Sequence, residues 1–467
     1  MNSYRLKTSY RKILADTITP VSIYLKIRDR FPNSILLESS DYHANDNSFS
    51  YICFNPIAHI KAENNTFYAS YPDGTQHEAA LNRKDVQLPQ LIEDFAGKFE
   101  TDGNEFKFIN NGLFGYIAYD AVRYFEDIEI RKKDDRIDIP DLYYAVYRNI
   151  IAINHFKNEA YLFSHDYKDQ NNLEEIQQLI RSRNYASYSF QPEGSPASAL
   201  TDDDYKELVK KAKHHCSRGD VFQLVLSRRF SQKFKGDEFN VYRALRSVNP
   251  SPYLFFFDYG NFRIFGSSPE SQLVIKNDRA EIHPIAGTFK RTGNDEQDAR
   301  LARALSNDEK ENSEHVMLVD LARNDLSRNG NTVEVETNRE VQFFSHVIHL
   351  VSKVVAKKNP EIPTMQVVAD TFPAGTLSGA PKHMAMQLID RYEPGNRNYY
   401  GGAIGFMDFS GNFNHAIMIR TFLSKDHELY YQAGAGLVAA SDPEAELQET
   451  YNKLGALTSA LELAKEI

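Results

Sequence analysis

Residues 403–437 read AIGFMDFSGNFNHAIMIRTFLSKDHELYYQAGAGL, and the fold class turns on how this stretch is read. The runs 403–409, 413–422 and 429–433 are rich in β-branched and aromatic residues, and Ser410-Gly411-Asn412 and Lys425-Asp426-His427 separate them. Short apolar runs joined by turn residues predict antiparallel strands linked by hairpins. An earlier series has the same character. Val221, Gln223 and Val225 alternate with Phe222, Leu224 and Leu226, and the runs 253–258 and 262–265 flank Tyr259-Gly260-Asn261 as a hairpin. Helical patterns fall at about 295–306, 308–329 and 381–391, and from Ser441 to the end. Antiparallel strands with clustered helices, not alternating strand and helix, predict an α+β architecture.

Outward from this region, Thr201 and Asp204 make a capping-box-like start to a helix carrying Tyr205, Leu208, Val209, Ala212 and Cys216, with Gly219 as its stop. Residues 1–165 read as short strands and loops and form an N-terminal subdomain. Residues 166–199 are polar, ending in Gln191-Pro192-Glu193-Gly194-Ser195-Pro196, and read as a surface helix and linker. Residues 200–467 then form the catalytic domain.

The chain has 467 residues, 42% hydrophobic and 12% aromatic. At such lengths folding removes roughly three quarters of the unfolded surface, so a large core needs no covalent staple. A net charge of -10 and a pI near 5.8 argue against a protein that grips nucleic-acid backbones. No run approaches eighteen apolar residues and the start has no signal-peptide pattern, so a cytoplasmic protein without membrane contact is expected. Cys53 and Cys216 are too few and too unpatterned for a disulfide framework or a thiolate metal site.

Several residues could carry chemistry. Glu311 and Glu314 share one helix face at spacing i,i+3, and Glu446 and Glu449 repeat that spacing in the last helix, whose start is marked by Ser441 with Glu444. The pairs are either solvated surface charge or hard oxygen ligands for Mg2+, which takes one or two carboxylates and completes its shell with water and an anionic substrate. Gln432-Ala433-Gly434-Ala435-Gly436 is either a tight connection into that helix or a place where backbone N–H groups hold a carboxylate. Arg420, at the end of an apolar strand, needs a partner, which is either a salt bridge or a substrate carboxylate. His349 reads as a core histidine. Gly375-Thr376-Leu377-Ser378-Gly379-Ala380-Pro381-Lys382 lacks phosphate-loop spacing.

Taken together and in order, these segments resemble the chorismate-utilising enzymes over nearly all of residues 201–467. The resemblance rests on Gly219-Asp220-Val221-Phe222-Gln223, Asn249-Pro250-Ser251-Pro252-Tyr253, Gly266-Ser267-Ser268-Pro269-Glu270, Pro284-Ile285-Ala286-Gly287-Thr288, Glu314-His315 through Asp325, His349-Leu350-Val351-Ser352, and the Gly375 and Gln432 segments above. It implies two facing antiparallel sheets covered by helices, with the active site between them. It implies Mg2+ on Glu314 and Glu449, with Glu311 and Glu446 in support. Backbone groups of Gly434, Ala435 and Gly436, with Lys453, would meet the ring carboxylate. Tyr400 and Arg420 would grip the enolpyruvyl carboxylate, and Gly287, Thr288 and Thr376 would line the pocket. Glu270 would act as general acid on the C4 hydroxyl and His349 in the elimination half.

Two positions narrow the expected activity. Gln223 stands where water-adding relatives use a lysine, and Ala286 where many aminodeoxychorismate synthases have one, so amination to anthranilate is expected. Leu36-Leu37-Glu38-Ser39 resembles the segment through which such enzymes bind L-tryptophan as inhibitor, with Pro252, Tyr253 and Leu254 across the pocket. Neither cysteine sits in a glutaminase setting, so ammonia is expected from a separate glutamine amidotransferase subunit. The alternatives are an aminodeoxychorismate synthase component and an inactive tryptophan-binding homologue. Phe289-Lys290-Arg291-Thr292 departs from the family's Arg-Pro-Arg-Gly.

Overall fold

The computed structural model describes residues 3–39, 48–82, 87–102, 106–133, 137–168, 171–343 and 347–467, the side chains of Thr288 and Lys310 excepted. Its strands pair almost wholly antiparallel in one continuous hydrogen-bonded network, flanked by helices. The elements that build the site are β1 (Ile35–Glu38), β2 (Leu113–Ile117), β3 (Gln223–Gly236), β4 (Tyr253–Asp258), β5 (Phe262–Ser268), β6 (Ser271–Lys276), β7 (Ile285–Lys290), β8 (Val347–Lys358), β9 (Ala403–Met407), β10 (Phe413–Ile417), β11 (Thr421–Lys425) and β12 (Glu428–Leu437). The helices are α1 (Asp202–Arg218), α2 (Glu309–Ser327), the single turn α3 (Gly375–Ser378), α4 (Lys382–Tyr392) and α5 (Pro443–Leu463).

Local sequence explains the ends of these elements. Thr201 accepts from the Asp204 N–H while Asp204 accepts from the Thr201 N–H, and α1 stops at Gly219 with φ 82°, a left-handed conformation that favours glycine. β4 and β5 form the expected hairpin, with Gly260 at φ 85° in its turn. Helix α5 differs from expectation. Its cap is Asp442, which accepts from the N–H groups of Glu444 and Ala445, whereas Ser441 Oγ accepts from Val438. An aspartate directly before a proline-initiated helix is the stronger signal.

In the stretch read as surface helix and linker, Leu173–Arg181 is a helix, but Phe190–Ser198 pairs as a strand with β3. Its polarity fits an edge position, where one side of the strand stays in water. The N-terminal strands are part of the same network. β1 pairs with β4, Leu254 opposite Glu38 and Phe257 opposite Ile35, and β2 pairs with β9. Period two then sends alternate residues into different cores. Ile35, Phe255 and Phe257 enter one with Tyr399, Tyr400 and Leu377; Leu36, Leu254 and Phe256 enter another with Phe422 and Leu457. Each fully buried phenylalanine contributes about 1.5–3 kcal/mol, so this seam is held on both faces. Among the described residues, no helix is long and apolar enough to cross a membrane.

Candidate active site

Glu270 follows β5 and precedes β6. The Ile417 N–H donates to its carbonyl at 2.9 Å, and Thr376 Oγ1, carried by α3, donates to its Oε1 at 3.1 Å. Burial raises its carboxyl to a pKa of about 8, against the lowering effects of the Thr376 hydrogen bond and the Lys453 charge. It is therefore mainly protonated at neutral pH and can donate a proton. A cavity of about 30 Å³ lies against Glu270, Thr376, Gly375, Leu321 and Asp325, room for about one water. On the outer side, a groove of about 700 Å³ between α2 and α4 shares Leu321 and Asp325 with it. Lys382 donates to both carboxylate oxygens of Asp325 at 2.9 Å.

His349 lies on β8, its Nδ1 at 2.7 Å from the Gly287 carbonyl. A carbonyl only accepts, so Nδ1 carries the hydrogen and Nε2 is the basic nitrogen. Burial, with the positive charge of Arg420 nearby, depresses the ring to about 4, so it is neutral at pH 7. Gly287 has φ 66°, and a Cβ there would come within 2.6 Å of Leu305 Cδ1 and 3.2 Å of Glu311 Oε2. The glycine thus serves an irregularity in β7, between Ala286 and Phe289, and leaves room for Leu305 of the Asp295–Asn307 helix and Glu311 of α2. Thr288 follows it in β7, but its side chain lies outside what is described.

Arg420 does not end a continuous strand. The run 413–422 breaks, with β10 ending at Ile417 and β11 starting at Thr421, and Arg420 sits between them at φ 48°. Its Nη1 donates to Asn249 Oδ1 at 3.3 Å, and burial lowers its pKa. Among the described residues no carboxylate forms a salt bridge with it. Tyr400 is buried with its ring 5.6 Å from the Arg397 guanidinium and its phenol hydrogen-bonded to the Gly434 backbone. Among the described residues no hydrogen bond joins Tyr400 to Arg420.

Gly434, Ala435 and Gly436 are not a connection to the last helix; they lie inside β12, opposite Ser227, Leu226 and Val225 of β3. Glycine is compatible with a strand where another chain segment approaches closely. Here a Cβ on Gly436 would sit 2.5 Å from Gln223 Nε2. Pairing with β11 ends at Tyr431, so the other edge of β12 is uncovered by β11 beyond it. On that segment the Gly434 carbonyl accepts from Lys453 Nζ at 3.0 Å, and Lys453 is also 3.5 Å from Glu449.

Helices α2 and α5 carry Glu311 with Glu314 and Glu446 with Glu449. Among the described residues no three His, Cys, Asp or Glu side chains converge into a metal cage. Mg2+ does not require one, because one or two carboxylates with water and substrate oxygens complete its shell. By donor chemistry alone these carboxylates suit Mg2+.

The β1–β4 ladder ends with Glu38 opposite the buried Leu254, and Ser39, next in the chain, donates its N–H to the Phe49 carbonyl at 3.2 Å. Glu38 accepts from Tyr242 Oη at 2.6 Å and Arg246 Nε at 2.9 Å. Sequence reading missed Glu393 and Arg397, a buried ion pair described below, and did not single out Asn249 as the partner of Arg420. The available signal was an i,i+4 pair of opposite charge inside the aromatic stretch from Tyr392 to Tyr400.

Residues 33–459 match the family of chorismate binding enzymes. The chain is 36% identical to anthranilate synthase component 1 of Aquifex aeolicus, over 99% of this chain and 96% of that protein. It is 37% identical to that of Lactococcus lactis, over 95% and 97%. It also resembles the crystal structure of anthranilate synthase component I from Streptococcus pneumoniae, with a TM-score of 0.78 and 32% identity over 96% of this chain and 99% of that one.

Proposed function

The chain belongs to the chorismate binding enzyme family, and from that premise we propose that it converts chorismate and ammonia to anthranilate, pyruvate and water. The observation that carries this reading is the similarity, over nearly the full length, to anthranilate synthase component 1 of two bacteria. Gln223, packed over Gly436, puts an uncharged amide where a water-activating lysine would stand in other chorismate enzymes.

In this reading Glu270 gives its proton to the departing C4 hydroxyl while ammonia adds at C2, and Thr376 holds that carboxyl in place. His349, neutral with Nε2 basic, serves the elimination that releases pyruvate and the C2 proton. Arg420 meets the enolpyruvyl carboxylate with Tyr400 in the same wall. Glu314 and Glu449, backed by Glu311 and Glu446, would hold Mg2+, which neutralises the ring carboxylate beside Gly434, Ala435, Gly436 and Lys453.

Ammonia comes from a partner glutamine amidotransferase. Burial raises the pKa of both thiols, Cys53 and Cys216, so neither is an activated nucleophile. L-Tryptophan binds at the seam, between Ser39 and the Pro252, Tyr253 and Leu254 segment, and lowers chorismate affinity. The working compartment is the cytoplasm.

The test mixes the purified chain with chorismate, Mg2+ and an ammonium salt. Anthranilate fluorescence should appear, read over a low background because the chain has no tryptophan, and glutamine should not replace ammonium. Aminodeoxychorismate as product would move the chain to the neighbouring activity. Tryptophan binding without turnover would make it a regulatory homologue.

A further inference from the structure

The chain departs from surface-charge habits at Glu393 and Arg397. Arg397 is only 1% exposed and the Glu393 side chain 3%. Arg397 Nε donates to Glu393 Oε2 at 2.9 Å and Nη2 to Oε1 at 2.6 Å. Burial by itself lowers the guanidinium pKa, but the Glu393 carboxylate beside it, together with Tyr119 and Tyr400, more than reverses that. Two enclosed charges are expensive to maintain, and apolar residues would often fold as well. What distinguishes this pair is what its remaining hydrogen bonds hold.

Arg397 Nη1 donates to the Leu377 carbonyl at 2.5 Å, one residue after Thr376, and Nη2 donates to the Val225 carbonyl at 2.8 Å. Its guanidinium lies 5.6 Å from the ring of Tyr400. Glu393 Oε1 accepts from the N–H of Ser227 at 2.8 Å and its Oγ at 2.7 Å, and Ser227 Oγ accepts in turn from Gln432 Nε2 at 2.6 Å. Val225 and Ser227 are the register partners of Gly436 and Gly434. One ion pair thus ties together the turn that carries Thr376 to Glu270, the wall residue Tyr400 and the strand opposite the glycine segment. These parts come from distant stretches of sequence, and no other contact described here joins all three.

We propose that Glu393 and Arg397 form a positioning pair that fixes the Thr376 turn, Tyr400 and the Gly434–Gly436 strand as one frame, a role that rests on the chorismate-aminating reading of that site. Neither residue touches substrate. Misplacing catalytic groups by about 1 Å can slow a reaction about 10²-fold, and that is the loss expected when the frame loosens.

Arg397→Lys keeps a cation but cannot reach Glu393 and both carbonyls with one fork. It should lower kcat about 10²-fold per folded molecule and quicken amide hydrogen exchange at residues 375–378 and 434–436 together. A purely structural role would lower the melting temperature and the folded yield without changing kcat of the folded fraction. The double change Glu393→Leu with Arg397→Met leaves no unpaired buried charge, so it should fold and still be slow. Glu393→Asp, one methylene shorter, serves if both of these fail to fold, and the same outcomes are read. Wild-type kcat in a folded variant, or wild-type exchange in the two segments, overturns the proposal. Lack of chorismate turnover by the unaltered chain would instead sink the functional reading, and the exchange measurement would still decide the pair's role.

Discussion

Glu270 and Glu38 are enclosed carboxylates on the same strand network, yet their surroundings differ in kind. Glu38 accepts from a tyrosine hydroxyl and from Arg246, so its charge has a matching cation at 2.9 Å. Glu270 has one hydroxyl donor, Thr376, and only the more distant influence of Lys453, and burial lifts its pKa to about 8. The first is a structural acceptor that ties β1 to the helix carrying Tyr242 and Arg246; the second, with its pKa raised to about 8, has a proton it can give away. Glu38 has an adjacent cation and a structural role, whereas Glu270 has no adjacent cation among the described residues and a raised pKa.

The largest effect concerns carboxylates for which a third use, holding Mg2+, is proposed. Glu314→Ala and Glu449→Ala should each reduce turnover to background, as should chelation of the wild type, and full activity in chelator would break the metal assignment. Next, Glu270→Gln should lower kcat by about 10²–10⁴-fold with the protein still folded. Glu38→Gln should instead leave kcat close to wild type and lower stability by about 1–3 kcal/mol, tempered because Arg246 is partly solvent-exposed. Equal kinetic damage from the two would erase the distinction.

The pH dependence sharpens it further. In the proposed role Glu270 must be protonated to act, so kcat/KM should fall as pH rises through about 8. Thr376 lowers that pKa, so Thr376→Val should move the alkaline limb upward while reducing the rate, and a downward shift would show that another group governs the limb. The smallest effect is on uninhibited turnover in Ser39→Phe, which should stay nearly unchanged while sensitivity to tryptophan is lost. Inhibition curves that superimpose on those of the wild type would remove Ser39 from the regulatory site.

Much of this arrangement was legible in the sequence where local rules decide. The capping box at Thr201, the turn at Gly260 and the strand runs after residue 400 follow from residue type and spacing over a few positions. The break at Arg420 was not, because a left-handed arginine inside an apolar run leaves no local mark. Nor was the strand at 190–198, whose polarity comes from lying at an edge. The glycines of β12 looked like a loop because what they make room for, Gln223 at Gly436 and Leu226 with Ser227 at Gly434, lies far earlier in the chain. Motif order pointed to Glu270, His349 and Thr376, and the structure adds the burial that raises the pKa of Glu270 and lowers that of His349, and the contact between Glu270 and Thr376. Glu393 and Arg397 stayed hidden because a charged i,i+4 pair ordinarily signals solvent, and only tertiary packing shows otherwise.

The pairing of β1 with β4 and β2 with β9 bears on how the chain can be handled. A fragment beginning near residue 200 would leave β4 and β9 each with one side stripped of its hydrogen-bonding neighbour. Both strands are long in apolar residues, and an unpaired edge of that kind templates further strands from other molecules. The first two hundred residues therefore act as a built-in cover against aggregation, and a shortened catalytic fragment should gather into insoluble material unless that cover is supplied in trans.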